Sequence, residues 1–184
     1  MAGKLDIGRT ILDEKQLLYI IQRLAHQLIE NHSDFSNSII IGVQPRGIEL
    51  CHIIHEIIEK KLGKRVQKGT LDISMHRDDI HLHGTSLSIG RTDIPCSLDE
   101  KNIILIDDVL YTGRTIRAAL DTLMDYGRPK DIELLVLIDR RLYRNVPIQA
   151  KYVGKSIDSI QKEKVKVHLS LDGKGNKVEI FTQE

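Results

Sequence analysis

Three apolar runs narrow the fold class more than any other feature of this chain. "SIIIGV" (38–43), "NIILI" (102–106) and "DIELLVLID" (131–139) are short, rich in branched aliphatic residues, and too uniformly apolar to keep one face in water. A strand that is apolar on both faces must be covered on both, which is the situation of a parallel sheet with helices packed on either side. The segments between the runs supply the helices. "DEKQLLYIIQRLAHQLIEN" (13–31) sets Leu17, Ile20, Ile21, Leu24, Ala25 and Leu28 at helical spacing, with acids in the first turn. "IELCHIIHEIIEKKLG" repeats the pattern and stops at Gly63, and "RTIRAALDTLMDYG" repeats it again. "GTLDIS" (69–74) reads as a further strand. The expected fold is α/β, a doubly wound, mostly parallel sheet.

Two regions depart from that pattern. "MHRDDIHLHGTSLSIGRTDIP" is polar, rich in His and Gly, and without period, so residues 76–95 or thereabouts are expected to form a flexible, functional loop. Beyond residue 140, "AKYVGK", "EKVKVHLS" and "NKVEIFTQ" alternate apolar and polar residues between Gly, Ser and Asp turns. They predict a small antiparallel flap over about 140–184.

A length of 184 residues allows one substantial core and is short for two, so residues 1–184 are expected to form a single domain. The 27 basic and 26 acidic residues nearly cancel, which leaves local clusters to indicate partners. Cys51 and Cys96 show neither C-x-x-C nor zinc-site spacing and are expected to be reduced structural thiols. No apolar run reaches the roughly 18 residues of a membrane span, and the N-terminal "MAGKLDIGRT" lacks an apolar signal core. A cytoplasmic location is expected.

The chemistry concentrates in "IILIDDVLYTGRTIRAAL" (103–120). In open α/β sheets ligands sit in the crevice beyond the carboxyl ends of the strands, and Asp107 and Asp108 fall there. Thr112, Gly113, Arg114 and Thr115 then offer backbone N–H groups, hydroxyls and a helix N-terminus, all suited to a phosphate. Carboxylates repel phosphate, so the two halves must address different parts of one ligand. Acids that accept from vicinal hydroxyls beside a turn that holds a phosphate suit a ribose 5-phosphate. Two acids that merely cap the next helix would not account for the glycine turn and both threonines. A strand-end Asp is also the nucleophile of receivers and aspartyl phosphatases, whose chemistry does not need T-G-R-T. Neither G-x-x-x-x-G-K-[ST] nor a strand followed by G-x-G-x-x-G occurs.

"IILIDDVLYTGRT" resembles the phosphoribosyl-pyrophosphate motif of type I phosphoribosyltransferases. More narrowly, "DDVLYTGRTIRAALD", "YGRP", "VLIDR", "VPIQAKYVGK", "EKVKV", "ILDEKQL" and "RLAHQLIE" resemble the PyrR family of pyrimidine operon regulators and uracil phosphoribosyltransferases, across nearly the whole chain. The resemblance implies the type I phosphoribosyltransferase fold, uracil and phosphoribosyl pyrophosphate as substrates, uridine monophosphate (UMP) as product, Mg²⁺ as cofactor, and a homo-oligomer, dimer or higher. It implies catalytic roles for Asp107, Asp108 and Arg77, with the two aspartates meeting ribose hydroxyls or Mg²⁺, directly or through water. The implied substrate contacts are Arg46 and Gly47 at pyrophosphate, Asp78 and Asp79 in the loop, Val109, Leu110 and Tyr111, Thr112 to Thr115 at the 5-phosphate, and Asp139 and Arg140. Purine-salvage relatives carry an acid just before T-G. Tyr111 stands there in this chain, which favours a pyrimidine.

The family's second implied function is binding of messenger leader RNA. Residues 140–166 hold eight basic side chains (Arg140, Arg141, Arg144, Lys151, Lys155, Lys162, Lys164, Lys166) against Asp158 and Glu163, and a basic patch of this kind makes affinity salt-dependent. Arg23, His26, Arg144 and Lys155 are the expected RNA contacts, while Tyr143 is expected to pack. Gln149 replaces a basic residue of the family, "DRRLYRNV" is one residue longer than its counterpart, and Pro45 stands where the family usually has a non-proline residue. The alternatives are an RNA-binding nucleotide sensor with little transferase activity, or a phosphoribosyltransferase for another base. His76, His81 and His83 include an H-x-H pair but no third fixed ligand, so they are read as loop polarity rather than a metal site.

Overall fold

All six residues of β2 (Ser38–Val43) are buried, as are most of β4 (Asn102–Leu110) and β5 (Asp131–Arg140), so these runs are covered on both faces as their composition demands. The structure, a computed structural model, describes residues 8–74, 90–160 and 162–182. β2, β4 and β5 form the centre of a five-stranded parallel sheet, flanked by β3 (Gln67–Leu71) beside β2 and β6 (Tyr152–Ile157) beside β5.

Helices α1 (Glu14–His32) and α2 (Gly47–Leu62) lie on one face. Their apolar stripes, with Leu17, Leu24, Leu28, Leu50 and Ile54, meet Ile40, Ile104, Ile106, Leu135 and Leu137. Alternate residues of the same strands, Ile39, Ile41, Ile103, Leu105 and Val136, point the other way and pack against Ile116, Ala119 and Leu123 of α3 (Arg114–Met124). The two-residue period of a strand thus feeds two separate cores. α1 starts with a capping box in which Asp13 Oδ1 accepts from Gln16 N at 2.8 Å and Gln16 Oε1 accepts from Asp13 N at 3.1 Å.

Three expectations need correction. "AKYVGK" does not belong to an antiparallel flap: β6 pairs in parallel with β5, Leu135 against Tyr152 and Ile138 against Lys155. It is an edge strand with a half-exposed pattern, which in sequence looks the same as an antiparallel hairpin strand. The antiparallel sheet is real but draws on both ends of the chain, in the order β1 (Gly8–Leu12), β8 (Lys177–Thr182), β7 (Glu163–His168). The third strand spans 67–71 rather than 69–74. The expected loop of 76–95 lies mostly outside the described residues, but its end is fixed where Thr70 and Asp93 exchange backbone hydrogen bonds of 2.8 and 2.9 Å. Both cysteines are unpaired, and burial pushes the Cys51 thiol up to about 12. Among the described residues, no helix is long and apolar enough to cross a membrane.

A polar knot ties the amino ends of the strands together. Glu133 of β5 accepts from Tyr152 Oη at 2.6 Å, meets His32 Nε2 at 2.9 Å, and receives the Lys151 ammonium on its other oxygen. His32 Nδ1 lies 3.0 Å from Ser38 Oγ, and Asn31 donates to Tyr152 Oη at 3.0 Å. Burial raises the Glu133 pKa, but the donors of Lys151, Tyr152 and His32 outweigh it and hold the carboxyl below its ordinary 4.5. The contribution of this carboxylate is therefore present above the unfolded-state value and is lost as pH falls through the native one. Glu133→Gln is expected to lower unfolding free energy by about 2 kcal/mol at pH 7, because donors face an amide that satisfies fewer of them. Denaturant titrations at neutral and acid pH check this. The difference from the parent should shrink in acid, and equal stability at pH 7 would contradict it.

Candidate active site

At the carboxyl ends of the strands, β4 turns from Ile106 to Asp107 and Asp108, both only 6% exposed. Asp107 Oδ1 accepts from Asp108 N at 2.9 Å. Asp108 Oδ2 is buried with no hydrogen-bond partner among the described residues; its neighbour Arg46 Nη1 is 4.0 Å away, close enough for charge attraction and too far for a hydrogen bond. Burial raises both carboxyl pKa values above the ordinary 3.8. Repulsion from Asp108 adds to the effect on Asp107, and Arg46 only partly offsets it. A buried acceptor without a donor is costly, so this pair is shaped for cationic or hydrogen-bond-donating company.

The wall beside the pair is the N-terminus of α2. The Gln44–Pro45 peptide is cis, and Arg46 caps the helix with its side chain 58% exposed. A Cβ on Gly47 would sit 2.3 Å from the Ile106 carbonyl oxygen and 3.1 Å from Asp107 Cα, so only glycine lets this turn rest on β4 next to the acids. Gln44 carries the other border. Its backbone N–H donates to Leu71 O at 2.9 Å and its Nε2 to Arg91 O at 2.7 Å, so the residues flanking 75–89 are held beside the turn. Arg77, Asp78 and Asp79, and the three loop histidines, lie outside the described residues.

After Val109 and Leu110 complete β4, Tyr111 to Gly113 turn into α3. Gly113 caps α3 at φ +89°, a left-handed conformation that favours glycine, and has no side chain with which to cap the helix. Thr112 Oγ1 accepts from Arg114 N at a long 3.4 Å, and Thr115 is half-buried in the first turn. A helix N-terminus that starts at a glycine, at the strand ends and one turn from two carboxylates, suits an anion.

The structure brings Tyr111, Asp139, Arg140 and Arg144 into one cluster. The Arg140 guanidinium stacks 3.8 Å from the centre of the Tyr111 ring. Arg140 also reaches into the C-terminal segment, donating to Ser159 Oγ at 2.6 Å, Glu163 O at 2.9 Å and Ile160 O at 3.2 Å. Arg144 donates to Asp139 Oδ1 at 2.5 Å and to the Tyr111 carbonyl. Ser159 and the Ile160 and Glu163 carbonyls carry no sequence signal, because their role is only to receive an arginine from another strand.

The basic stretch is largely engaged inside the molecule. Arg140 is buried, Arg141 pairs with both Asp158 oxygens at 2.9 and 2.7 Å, Lys151 meets Glu133, and Lys166 lies 4.3 Å from the centre of the Phe181 ring. Arg144 turns inward, whereas Arg23, His26 and Lys155 gather on the outer surface of α1 and β6. Arg23 donates to Gly154 O at 2.6 Å, and His26 Nδ1 lies 2.7 Å from Gln22 O. Tyr143, expected to pack, is instead 46% exposed at φ +68°.

The acidic pair makes native stability depend on pH. With native pKa values above 3.8, the folded protein holds protons that the unfolded chain has released, so stability falls as pH rises above that value. Asp107→Asn is expected to flatten this fall and raise stability at neutral pH, measured by denaturant unfolding in chelator across a pH series. A variant running parallel to its parent would contradict the burial argument.

The family described as "Phosphoribosyl transferase domain" matches residues 8–171. A curated protein of Bacillus cereus (strain AH820), "Bifunctional protein PyrR", is 39% identical over 173 residues, covering 93% of this chain and 96% of the relative. Among solved structures, a hypoxanthine phosphoribosyltransferase from Staphylococcus aureus superposes with TM-score 0.63 at 22% identity, over 83% of this chain and 80% of that one. The Trypanosoma cruzi hypoxanthine phosphoribosyltransferase in complex with its product IMP gives TM-score 0.64 at 16% identity, over 85% and 79%. At these identities the solved structures speak for the fold alone. The chain belongs to the phosphoribosyl transferase domain family and, within it, to the PyrR proteins.

Proposed function

We propose that the protein transfers the phosphoribosyl group of 5-phosphoribosyl 1-pyrophosphate to uracil, forming UMP and pyrophosphate. We propose further that it is a cytoplasmic homo-oligomer that also regulates pyrimidine genes by binding leader RNA in response to UMP. The observation that carries the enzymatic reading is the buried Asp108 Oδ2, without a partner among the described residues, beside Asp107 and one turn from the N-terminus of α3. A ribose with two free hydroxyls satisfies the acids, and its 5-phosphate occupies the turn from Thr112 to Thr115.

In this reading Arg46 and Gly47 face pyrophosphate, Arg77 has a catalytic role, and Asp78 and Asp79 are further substrate contacts. Departure of pyrophosphate leaves positive charge on the sugar, which the Asp107 and Asp108 carboxylates stabilise from a desolvated position. Mg²⁺ fits this donor set. Two carboxylates are present, no group of three or more His, Cys, Asp or Glu that could hold a metal occurs among the described residues, and Mg²⁺ commonly completes its shell with substrate oxygens and water. When bound, the ion neutralises charge on the leaving pyrophosphate. Tyr111, stacked under Arg140, presents an aromatic ring where purine relatives present an acid, and Asp139 and Arg140 border the same place.

For RNA, the exposed positions of Arg23, His26 and Lys155 along α1 and β6 support a phosphate-binding face.

A panel of nucleobases with phosphoribosyl pyrophosphate and Mg²⁺ tests substrate and reaction together. Uracil should be consumed, hypoxanthine and guanine should not. The double variant Asp107→Asn/Asp108→Asn should lose about 10²- to 10³-fold in rate; full activity in the folded double variant rules out the site. For the second function, affinity of the UMP-loaded protein for pyrimidine leader RNA should drop steeply between about 50 and 200 mM salt. Salt-independent affinity, or no binding, would remove the regulatory half.

A further inference from the structure

The turn after β5 is built onto the phosphate turn from outside. Thr112 O accepts from both Asn145 N at 2.9 Å and Val146 N at 3.1 Å, and Tyr111 O accepts from Arg144 Nη1. A Cβ on Gly113 would lie 3.2 Å from Val146 Cβ and 3.6 Å from Arg144 Cδ, so the two turns pack without a gap. The other arm of Arg144 holds Asp139 Oδ1 at 2.5 Å, with side-chain exposures of 19% and 14% for the two partners. Tyr143 adopts φ +68°, a left-handed conformation costly for a tyrosine, and its own ring stays 46% exposed. The strain gains Tyr143 no packing, and it lies immediately before the residue whose side chain turns inward.

We infer that Arg144 is a positioning residue for phosphoribosyl transfer, a brace that fixes the Tyr111–Thr112 backbone relative to Asp139, and is not primarily an RNA contact. The inference rests on the proposed transferase reading and adds to it a residue outside the acidic pair and the phosphate turn. A guanidinium is a planar fork able to bridge a carbonyl and a carboxylate at fixed separation, and a lysine ammonium is a point charge without that geometry. Through the Tyr111 carbonyl the brace sets where the amides of 112–115 point. Through the backbone of Tyr111 it also supports the ring that Arg140 stacks upon. An arginine positioned to grip RNA phosphates would present its guanidinium to solvent, and this one has both arms engaged in the protein.

The test compares steady-state kinetics of the full-length parent, Arg144→Gln, Arg144→Lys and a neighbouring control, Arg141→Gln, whose parent side chain is exposed and paired to Asp158. Rates are expressed per folded enzyme from circular dichroism and active-site titration. Arg144→Gln should raise KM for phosphoribosyl pyrophosphate at least tenfold and lower kcat/KM about 10- to 100-fold. Arg144→Lys, which keeps the charge and serves if the glutamine variant fails to fold, should recover less than a tenth of the lost kcat/KM. Arg141→Gln should stay within twofold of the parent. Unchanged KM in the folded Arg144 variants, or full recovery in Arg144→Lys, overturns the inference. So does loss of salt-sensitive RNA binding with unchanged transfer in Arg144→Gln, which would make Arg144 an RNA contact. A parent inactive on uracil overturns the transferase reading instead, so the two failures are distinct.

Discussion

A strand covered on both faces can carry charge only where it runs out of cover, and the whole site follows from that constraint on β4. Ile103 to Ile106 bury both faces between α1–α2 and α3, and the next two residues are acids. They are too buried to be hydrated and too close together to ionise without penalty, so burial raises both carboxyl pKa values above the ordinary aspartate value. A ligand that brings hydroxyls or a cation relieves both problems. The Gly47 contact with Ile106 and the Gly113 turn into α3 bring a second wall and a helix end suited to an anion to the same point.

The two ends of the sheet treat buried polarity in opposite ways. At the amino ends, Glu133 is surrounded by Tyr152, His32 and Lys151, so its charge is held and the network contributes stability. At the carboxyl ends, Asp108 Oδ2 has no donor among the described residues. The same fold thus places a satisfied carboxylate where the chain needs cohesion and an unsatisfied one at the proposed ligand site. Arg140 and Arg144 lie between these regimes. Arg140 is held by Ser159, Ile160 and Glu163 and stacks on Tyr111, and Arg144 joins the Tyr111 carbonyl to Asp139.

Much of this architecture was legible from periodicity. The span 38–43, the helix stop at Gly63 and the Asp13 start of α1 match residue for residue or nearly so, because apolar spacing and capping are local properties. The placement of "AKYVGK" was not legible. An edge strand has one neighbour, and alternation reports burial on one face while carrying nothing about the direction of that neighbour. β1 was missed because a five-residue strand at the start of the described chain pairs with β8 some 170 positions later, and no local pattern records so distant a partner. The basic stretch from 140 to 166 looked like a surface patch because a count of charges does not see Asp158, Glu133 or Asp139 waiting in the fold.

What the sequence alone determined was the fold class, the acidic pair followed by a glycine turn, and the tyrosine in front of it, since burial, turn formation and chemical type are written in adjacent residues. What only the tertiary structure decided was which charges remain available. It left Asp108 Oδ2 without a donor among the described residues, drew Arg144 inward onto Tyr111 and Asp139, and kept Arg23, His26 and Lys155 on the outer face of α1 and β6. The physical reason is that a charge acquires its role from the partner that reaches it through space, and those partners come from strands and turns far away in the chain.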